Sequence, residues 1–262
     1  MHWRRNLSDI ISSMNEHQQQ CLRRFKELAD RSAQGGIYTY SSFHSVGTAS
    51  LAYDVAPEKN VMLWGGTENS ERVVIRFGDP EEFYYEEDFP IRILRVSPKQ
   101  EKFSETLTHR DFLGAILNLG IERDMIGDIL VHDNSAYFFI LEKLADLVCS
   151  DLIRVKHTSV KCNIVSELPE DFRPKLMEEN ISVSSPRLDS VIAKVFHLSR
   201  GDAKELFDSE KVTVNGRLCL DPETRLKENS RITVRGCGKF EYRGEERTTK
   251  KGKVGITVWR YV

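Results

Sequence analysis

Residues 185–238 read SPRLDSVIAKVFHLSRGDAKELFDSEKVTVNGRLCLDPETRLKENSRITVRGCG, with two helix-start signals and a hairpin signal in close succession. Few small folds accommodate that order. Ser185 followed by Pro186 predicts a helix start, because Ser caps free amides and Pro at the first helical position lacks the donor that would go unpaired. Leu188, Val191, Ile192 and Val195 recur at three- and four-residue spacing and define one buried face, with Arg187, Asp189 and Lys194 elsewhere on the helix surface. Ser199 and Asp202 form a capping-box pair that predicts a second helix over Arg200 to Ser209, with Ala203, Leu206 and Phe207 inward. Val212 and Val214 alternate into Asn215-Gly216, the dipeptide that best tolerates the positive backbone angles of a tight hairpin.

Charge sets this end of the chain apart. The whole sequence is close to neutral, with 38 Lys+Arg against 40 Asp+Glu. Residues 184–262 nevertheless hold 17 basic and 11 acidic side chains, and residues 1–183 hold 21 and 29. A cationic segment joined to an acidic body is the electrostatic footprint of a nucleic-acid-binding end, and its affinity should fall with salt.

The 262 residues, 40% of them hydrophobic, can bury more than one core. No run of 18 apolar residues exists, so no membrane span is expected. Arg4-Arg5 is followed by no apolar core of signal-peptide length, and export is not expected. Five cysteines without a CxxC pair indicate neither a zinc site nor a disulfide framework.

Leu7, Ile10, Ile11 and Met14, then Leu22, Phe25, Leu28 and Ala29, predict one or two amphipathic helices, with the polar run EHQQQ between these stretches as a solvated face. Strands follow at Val61 to Trp64 and Arg72 to Phe77, with Gly65-Gly66 as a turn and Glu81 to Asp88 exposed. Strand Ile91 to Val96, helix Thr108 to Leu119, strands at 129–131 and 136–140, a helix near Glu142 to Cys149 and a strand near Ser159 to Ile164 give the ferredoxin-like order β-α-β-β-α-β. Tyr137 and Phe139 lie on one face of that sheet and Phe138 on the other. RNA-recognition domains of this topology stack bases on strand aromatics, but the basic and glycine-rich surroundings of that motif are missing, and residues 91–163 balance 10 basic against 10 acidic side chains. Core packing is the favoured reading of these rings.

The expected fold class is therefore α+β and multidomain. It comprises an N-terminal α/β unit over residues 1–89, a central ferredoxin-like, RRM-like unit over 90–164, a polar linker over 165–183 and a C-terminal domain of two helices plus β-hairpins over 184–262, after a basic loop from Arg243 to Lys253 closed by a last strand, Val254 to Val262.

The segment 185–238 resembles the S-four family of RNA-binding domains, also called the αL RNA-binding motif. The resemblance is carried by Arg187-Leu188-Asp189, Ser199-Arg200, Ala203, Val212, Val214-Asn215-Gly216 and Arg235-Gly236. It implies RNA binding by Arg187, Asp189, Lys194, Ser199, Arg200 and Asn215, with Lys204, Lys211, Arg235 and Lys239 as additions. Any one of these cations alone reads as a solvated charge; the constellation carries the signal.

Over residues 60–262 the chain also resembles the bacterial YlmH family, through Leu107-Thr108-His109-Arg110-Asp111-Phe112-Leu113-Gly114-Ala115, Leu119-Gly120-Ile121-Glu122-Arg123, Ile126-Gly127-Asp128-Ile129, and Gly65-Gly66 with Glu71-Arg72. Residues 37–57 depart from the family pattern. This resemblance implies a cytoplasmic, monomeric, non-enzymatic factor that binds rRNA and tRNA on the large ribosomal subunit carrying a stalled peptidyl-tRNA and assists C-terminal tailing in ribosome-associated quality control. It implies no cofactor, metal, membrane or small-molecule partner. Two alternatives stand beside it. One is an RNA-modifying enzyme of the pseudouridine-synthase or methyltransferase type, to which such modules are often appended; the other is a cell-division-associated scaffold.

His109-Arg110-Asp111 copies the letters of a kinase catalytic loop, but Ile116 stands where the metal-binding Asn belongs. Thr108 capping a helix with Asp111 at its third position explains the letters better, and His109 and Arg110 are kept as secondary RNA contacts. Gly236-Cys237-Gly238 precedes a strand and reads as a turn, and the seven histidines show no metal-ligand spacing.

Overall fold

The computed structural model describes residues 16–68, 70–100, 105–132, 134–172, 175–248 and 253–261. Leu7, Ile10, Ile11 and Met14 lie outside them. The chain divides into two compact units, Met1–Arg173 and Pro174–Val262.

The first unit opens with α1 (Glu16–Gly35), whose Cys21, Leu22, Phe25, Leu28 and Ser32 share one buried stripe. The EHQQQ run lies within α1 with none of its residues buried, the solvated face its polarity predicts. Four short strands, β1 (Thr39–Tyr40), β2 (His44–Ser45), β3 (Val61–Trp64) and β4 (Arg72–Phe77), form a sheet in which β4 pairs antiparallel with the other three. Phe25 and Leu28 pack there against Val73, Ile75 and Phe77. Two single-turn helices, α2 (Val46–Ala49) and α3 (Pro80–Phe83), lie in the connections.

A second sheet in the same unit holds β5 (Ile91–Pro98), β6 (Ile126–His132), β7 (Ser135–Leu141), β8 (Arg154–Val155) and β9 (Thr158–Val165), with α4 (His109–Leu117) and α5 (Ala145–Asp151). Its order is β6-β7-β5-β9-β8 and all its neighbours are antiparallel. This is the ferredoxin-like arrangement with one small strand added at the edge. Phe112 and Ile116 of α4 and Val148 of α5 cover Leu94, Val96, Phe138 and Ile140 on one face.

The other face of this sheet is also buried. Phe139 and Leu141 pack with Phe43 and Val74 of the first sheet. A Cβ at Gly66 would run into the Phe139 ring, and one at Gly127 would come 2.7 Å from the Phe43 ring and 2.9 Å from Phe139 Cβ. Close approach of backbone to ring is the reason for glycine at both positions. Phe139 is thus core, and Tyr137, 8% exposed, lies 4.9 Å from the Phe172 ring.

Arg72 joins the two sheets. Its Nε donates to Ile126 O at 3.0 Å and its Nη2 to Phe43 O at 2.8 Å and Arg123 O at 3.3 Å. Asp128 completes the junction by accepting from Glu71 N at 2.6 Å and Arg72 N at 3.1 Å. The Glu71-Arg72 and Arg123-to-Asp128 motifs therefore hold architecture.

Beside this junction His44 lies edge-on to Phe25, ring centroids 5.0 Å apart. Burial, followed by the Arg72 charge, lowers its pKa from 6.5 to about 4. Below pH 6.5 the unfolded chain takes up a proton that the folded unit refuses until about pH 4. Stability should therefore fall across that window, by at most about 3 kcal/mol, and level off below it. Urea unfolding of wild type and His44→Gln at pH 7 and pH 4.5 checks this: the gap between them should narrow at the lower pH, and an unchanged gap contradicts the assignment.

The second unit is a six-stranded antiparallel sheet, β10 (Leu176–Val183), β11 (Val212–Val214), β12 (Arg217–Leu218), β13 (Ser230–Val234), β14 (Gly238–Thr248) and β15 (Val254–Tyr261), in the order β10-β15-β14-β13-β11-β12. Helices α6 (Leu188–Val195) and α7 (Arg200–Asp208) bury Leu188, Val191, Ile192, Val195, Ala203 and Phe207 against Ile232, Val234, Phe240, Ile256 and Val258. The expected linker 165–183 is corrected in its second half. Residues 176–183 are β10, paired along its length with β15, because Ile181 and Val183 alternate inward although half of the segment is polar. The basic loop expected from Arg243 is strand β14 as far as Thr248, and residues 249–252 lie outside the described ones. Among the described residues no helix is long and apolar enough to cross a membrane.

Candidate nucleic-acid interface

Helix α6 begins at Leu188, later than Ser185-Pro186 predicts, and Arg187 occupies the N-cap position without a side-chain cap. The free amides are satisfied from elsewhere. Leu188 N donates to Thr224 O and Asp189 N to Pro222 O, each at 3.0 Å, and Arg187 and Arg225 pair as an isolated antiparallel bridge. A backbone segment does the work expected of Ser185.

That segment also orders the first predicted cation. Arg187 Nη2 donates to Asp189 Oδ2 at 2.9 Å, and its Nη1 lies 3.0 Å from Glu223 Oε1. The Asp189 hydrogen bond, with the nearby acidic charges, holds the Arg187 pKa above its ordinary value. Asp189 is an acceptor aimed at Arg187 and Ser190 N. A carboxylate repels phosphate, and the contact this one makes is with the Arg187 guanidinium, which it orients.

Helix α7 starts as predicted. Ser199 Oγ accepts from Asp202 N at 3.1 Å and Asp202 Oδ2 from Ser199 N at 3.3 Å, which commits the Ser199 hydroxyl to capping. Arg200 Nη2 reaches Ser184 Oγ at 3.0 Å, and Lys204 follows four residues later on the same side of the helix. Both cations are exposed. Past the end of α7, Lys211 N donates to Leu206 O and Arg235 N to Lys211 O, both at 2.9 Å, so Lys211 and Arg235 are backbone neighbours. Gly236 and Gly238 take φ of 90° and 128° in the turn between β13 and β14, and Lys239 pairs with Thr233 just beyond it. Lys194 is exposed in the last turn of α6.

Asn215 sits at the hairpin turn. At φ 50°, followed by Gly216 at φ 78°, it makes the predicted hairpin turn, and its side-chain oxygen accepts from Arg231 N at 2.8 Å. It fastens the hairpin to β13. His109 and Arg110 belong to the first unit, exposed at the start of α4 beside the Thr108 cap, where Asp111 Oδ2 accepts from Thr108 N at 2.8 Å and Thr108 Oγ1 at 2.7 Å.

Two features escape sequence reasoning. Glu223 and Arg225 join the Arg187 cluster, and their DPETR surroundings signal only a turn. On the sheet face away from the helices, the Arg243 guanidinium stacks 3.5 Å from the Trp259 ring centroid, Trp259 Nε1 donates to Glu178 Oε2 at 3.2 Å, and Tyr261 OH donates to Glu241 Oε1 at 2.8 Å. Alternation in ITVWRYV places Trp259 and Tyr261 on one face, but nothing local identifies Arg243 as their partner. Among the described residues no three His, Cys, Asp or Glu side chains group as a metal cage.

Comparison with known proteins gives the following similarities. A family model described as "Putative RNA-binding domain in YlmH" matches residues 85–167, and the S4 domain model matches residues 186–232. "Ribosome-associated protein quality control protein P2" of Bacillus subtilis (strain 168) is 30% identical over 200 residues, 75% of this chain and 76% of that protein. An "Uncharacterized RNA pseudouridine synthase" of Aquifex aeolicus (strain VF5) is 40% identical over 50 residues, 19% of this chain and 21% of that protein, too little to carry its activity over. The solved structure "Cell division protein ylmH from Streptococcus pneumoniae" is similar at a TM-score of 0.47 and 23% identity, over 58% of this chain and 93% of that one.

Proposed function

Since the chain belongs to the YlmH family, with the S4 domain at its C-terminal end, we propose that it is a cytoplasmic, monomeric RNA-binding factor that grips rRNA, and with it tRNA, on the large ribosomal subunit during ribosome-associated quality control. The observation that carries this reading is the group of cations on and beside α6–α7, interspersed with the exposed acids Asp202, Glu205, Asp208 and Glu210: Arg200 and Lys204 on one side of α7, Lys211 and Arg235 joined at its far end, and Arg187 held by Asp189 and Glu223. Lys194 and Lys239 extend it. These groups are donors on a rigid helical platform, suited to backbone phosphates, and Arg forks add bidentate geometry.

The protein contributes attachment to this process and no bond-making chemistry of its own. Its place is on subunits whose peptidyl-tRNA is retained after stalling, where C-terminal tailing proceeds. The test is co-sedimentation of the purified full chain with separated subunits and with large subunits bearing peptidyl-tRNA. The protein should pellet with large subunits and more strongly when peptidyl-tRNA is present. Recovery with small subunits alone, or with neither, contradicts the proposal.

A further inference from the structure

The ferredoxin-like sheet cannot take RNA in the manner usual for its topology. Base stacking needs an open sheet face, and here that face is closed by Phe43 and Val74 over Phe139 and Leu141. RNA meeting residues 85–167 must approach from another side.

On the helical side, a groove of about 480 Å³ lies between α4 and the β8–β9 hairpin, lined by Arg110, Gly114, Asn118, Ile153, Arg154 and Lys156. All three cations are exposed, and Ile153 is 64% exposed. Two acids share the lining, Asp111 and Asp151. Asp111 is committed to the Thr108 cap and lies 3.0 Å from Lys156 Nζ, which fixes that ammonium at the groove. Asp151 accepts from Ser150 Oγ at 2.6 Å.

Gly114 is the second observation. It sits inside α4, where glycine costs roughly 1 kcal/mol relative to alanine, and a Cβ built on it meets nothing within 4 Å. Packing within the chain gives no reason for a glycine there, in contrast to Gly66 and Gly127. Bare helix backbone at the floor of a cationic groove lets another backbone come close.

We infer that this groove binds the sugar–phosphate backbone of a folded RNA, with Arg110, Arg154 and Lys156 pairing phosphates and the strand lying against α4 at Gly114. The groove offers no ring for base stacking; Asn118 and the apolar Ile153 suit ribose and its hydroxyls. Readout is therefore of backbone shape, as for helical RNA. The inference rests on the RNA-binding reading above and adds a second, separate contact to it.

The test uses the full chain with two probes, a deacylated tRNA and a hairpin fragment of large-subunit rRNA, in fluorescence anisotropy. Gly114→Glu fills the open space with an acid four residues after Arg110, without a steric cost to the fold, so its melting temperature should match or exceed that of wild type. Its affinity for at least one probe should drop about fivefold or more, the loss of one or two phosphate contacts, as should that of Arg110→Ala with Arg154→Ala. Gly114→Ala should bind nearly as wild type. Loss with tRNA alone or rRNA alone identifies the source of the backbone. Wild-type affinity of both Gly114→Glu and the double variant for both probes overturns the inference. An α7 variant lacking Arg200 and Lys204 runs alongside: weakened binding there together with unaffected groove variants rejects this site while the reading of the preceding section stands.

Discussion

Phe139→Ala is expected to lower the unfolding free energy of the first unit by about 3–5 kcal/mol, the usual cost of truncating a fully buried phenylalanine. The ring is 0% exposed and packs between the two sheets of the unit, with Phe43, Val74 and Leu141 around it and Gly66 and Gly127 drawn against it. Those glycines leave no side chain to collapse into the cavity, which places the cost toward the upper end. Urea unfolding followed by circular dichroism measures the loss. The competing reading of Phe139 as a base-stacking residue makes the opposite prediction, namely unchanged stability with weakened RNA binding.

The second large effect is on binding. Replacing Arg200, Lys204 and Lys211 together by alanine should weaken RNA binding roughly 10- to 1,000-fold near 0.1 M salt, because each phosphate neutralised contributes a salt exponent of about 0.9. Stability should change by less than about 0.5 kcal/mol at each of these surface positions, two of them exposed and Lys211 partly so. Arg200 and Lys204 lie on the solvent side of α7, and Lys211 keeps its backbone bonds to Leu206 and Arg235 whatever its side chain. Arg187 is a poorer probe. Its removal also strands Asp189 and Glu223, so a loss of binding there would mix contact with local reordering.

Much of this arrangement is legible in the sequence where two local signals coincide. Ser199 with Asp202, Thr108 with Asp111, and Asn215-Gly216 each join a cap or turn to a hydrophobic period, and each forms as read. The start of α6 is not legible, because the groups that satisfy its amides, Pro222 O and Thr224 O, come from a loop on the far side of a helix pair and a hairpin. Strand β10 escapes because only Ile181 and Val183 of its inward residues are buried. The motifs Glu71-Arg72 and Arg123 to Asp128 are visible as letters, but their purpose as a clamp between two sheets depends on carbonyls of Phe43 and Ile126 that no spacing reveals. Among the candidate residues, the cations are legible as a set, whereas the local roles of their neighbours are not: Asp189 orients Arg187, Ser199 caps α7 and Asn215 fastens the hairpin to β13.

The claim that RNA is held through phosphates by the α6–α7 surface is tested most directly by sedimenting the full chain with large ribosomal subunits across a salt series. The slope of log affinity against log salt should be shallower by roughly 2–3 in the Arg200→Ala, Lys204→Ala, Lys211→Ala variant than in wild type. Equal slopes and equal affinities would contradict the account.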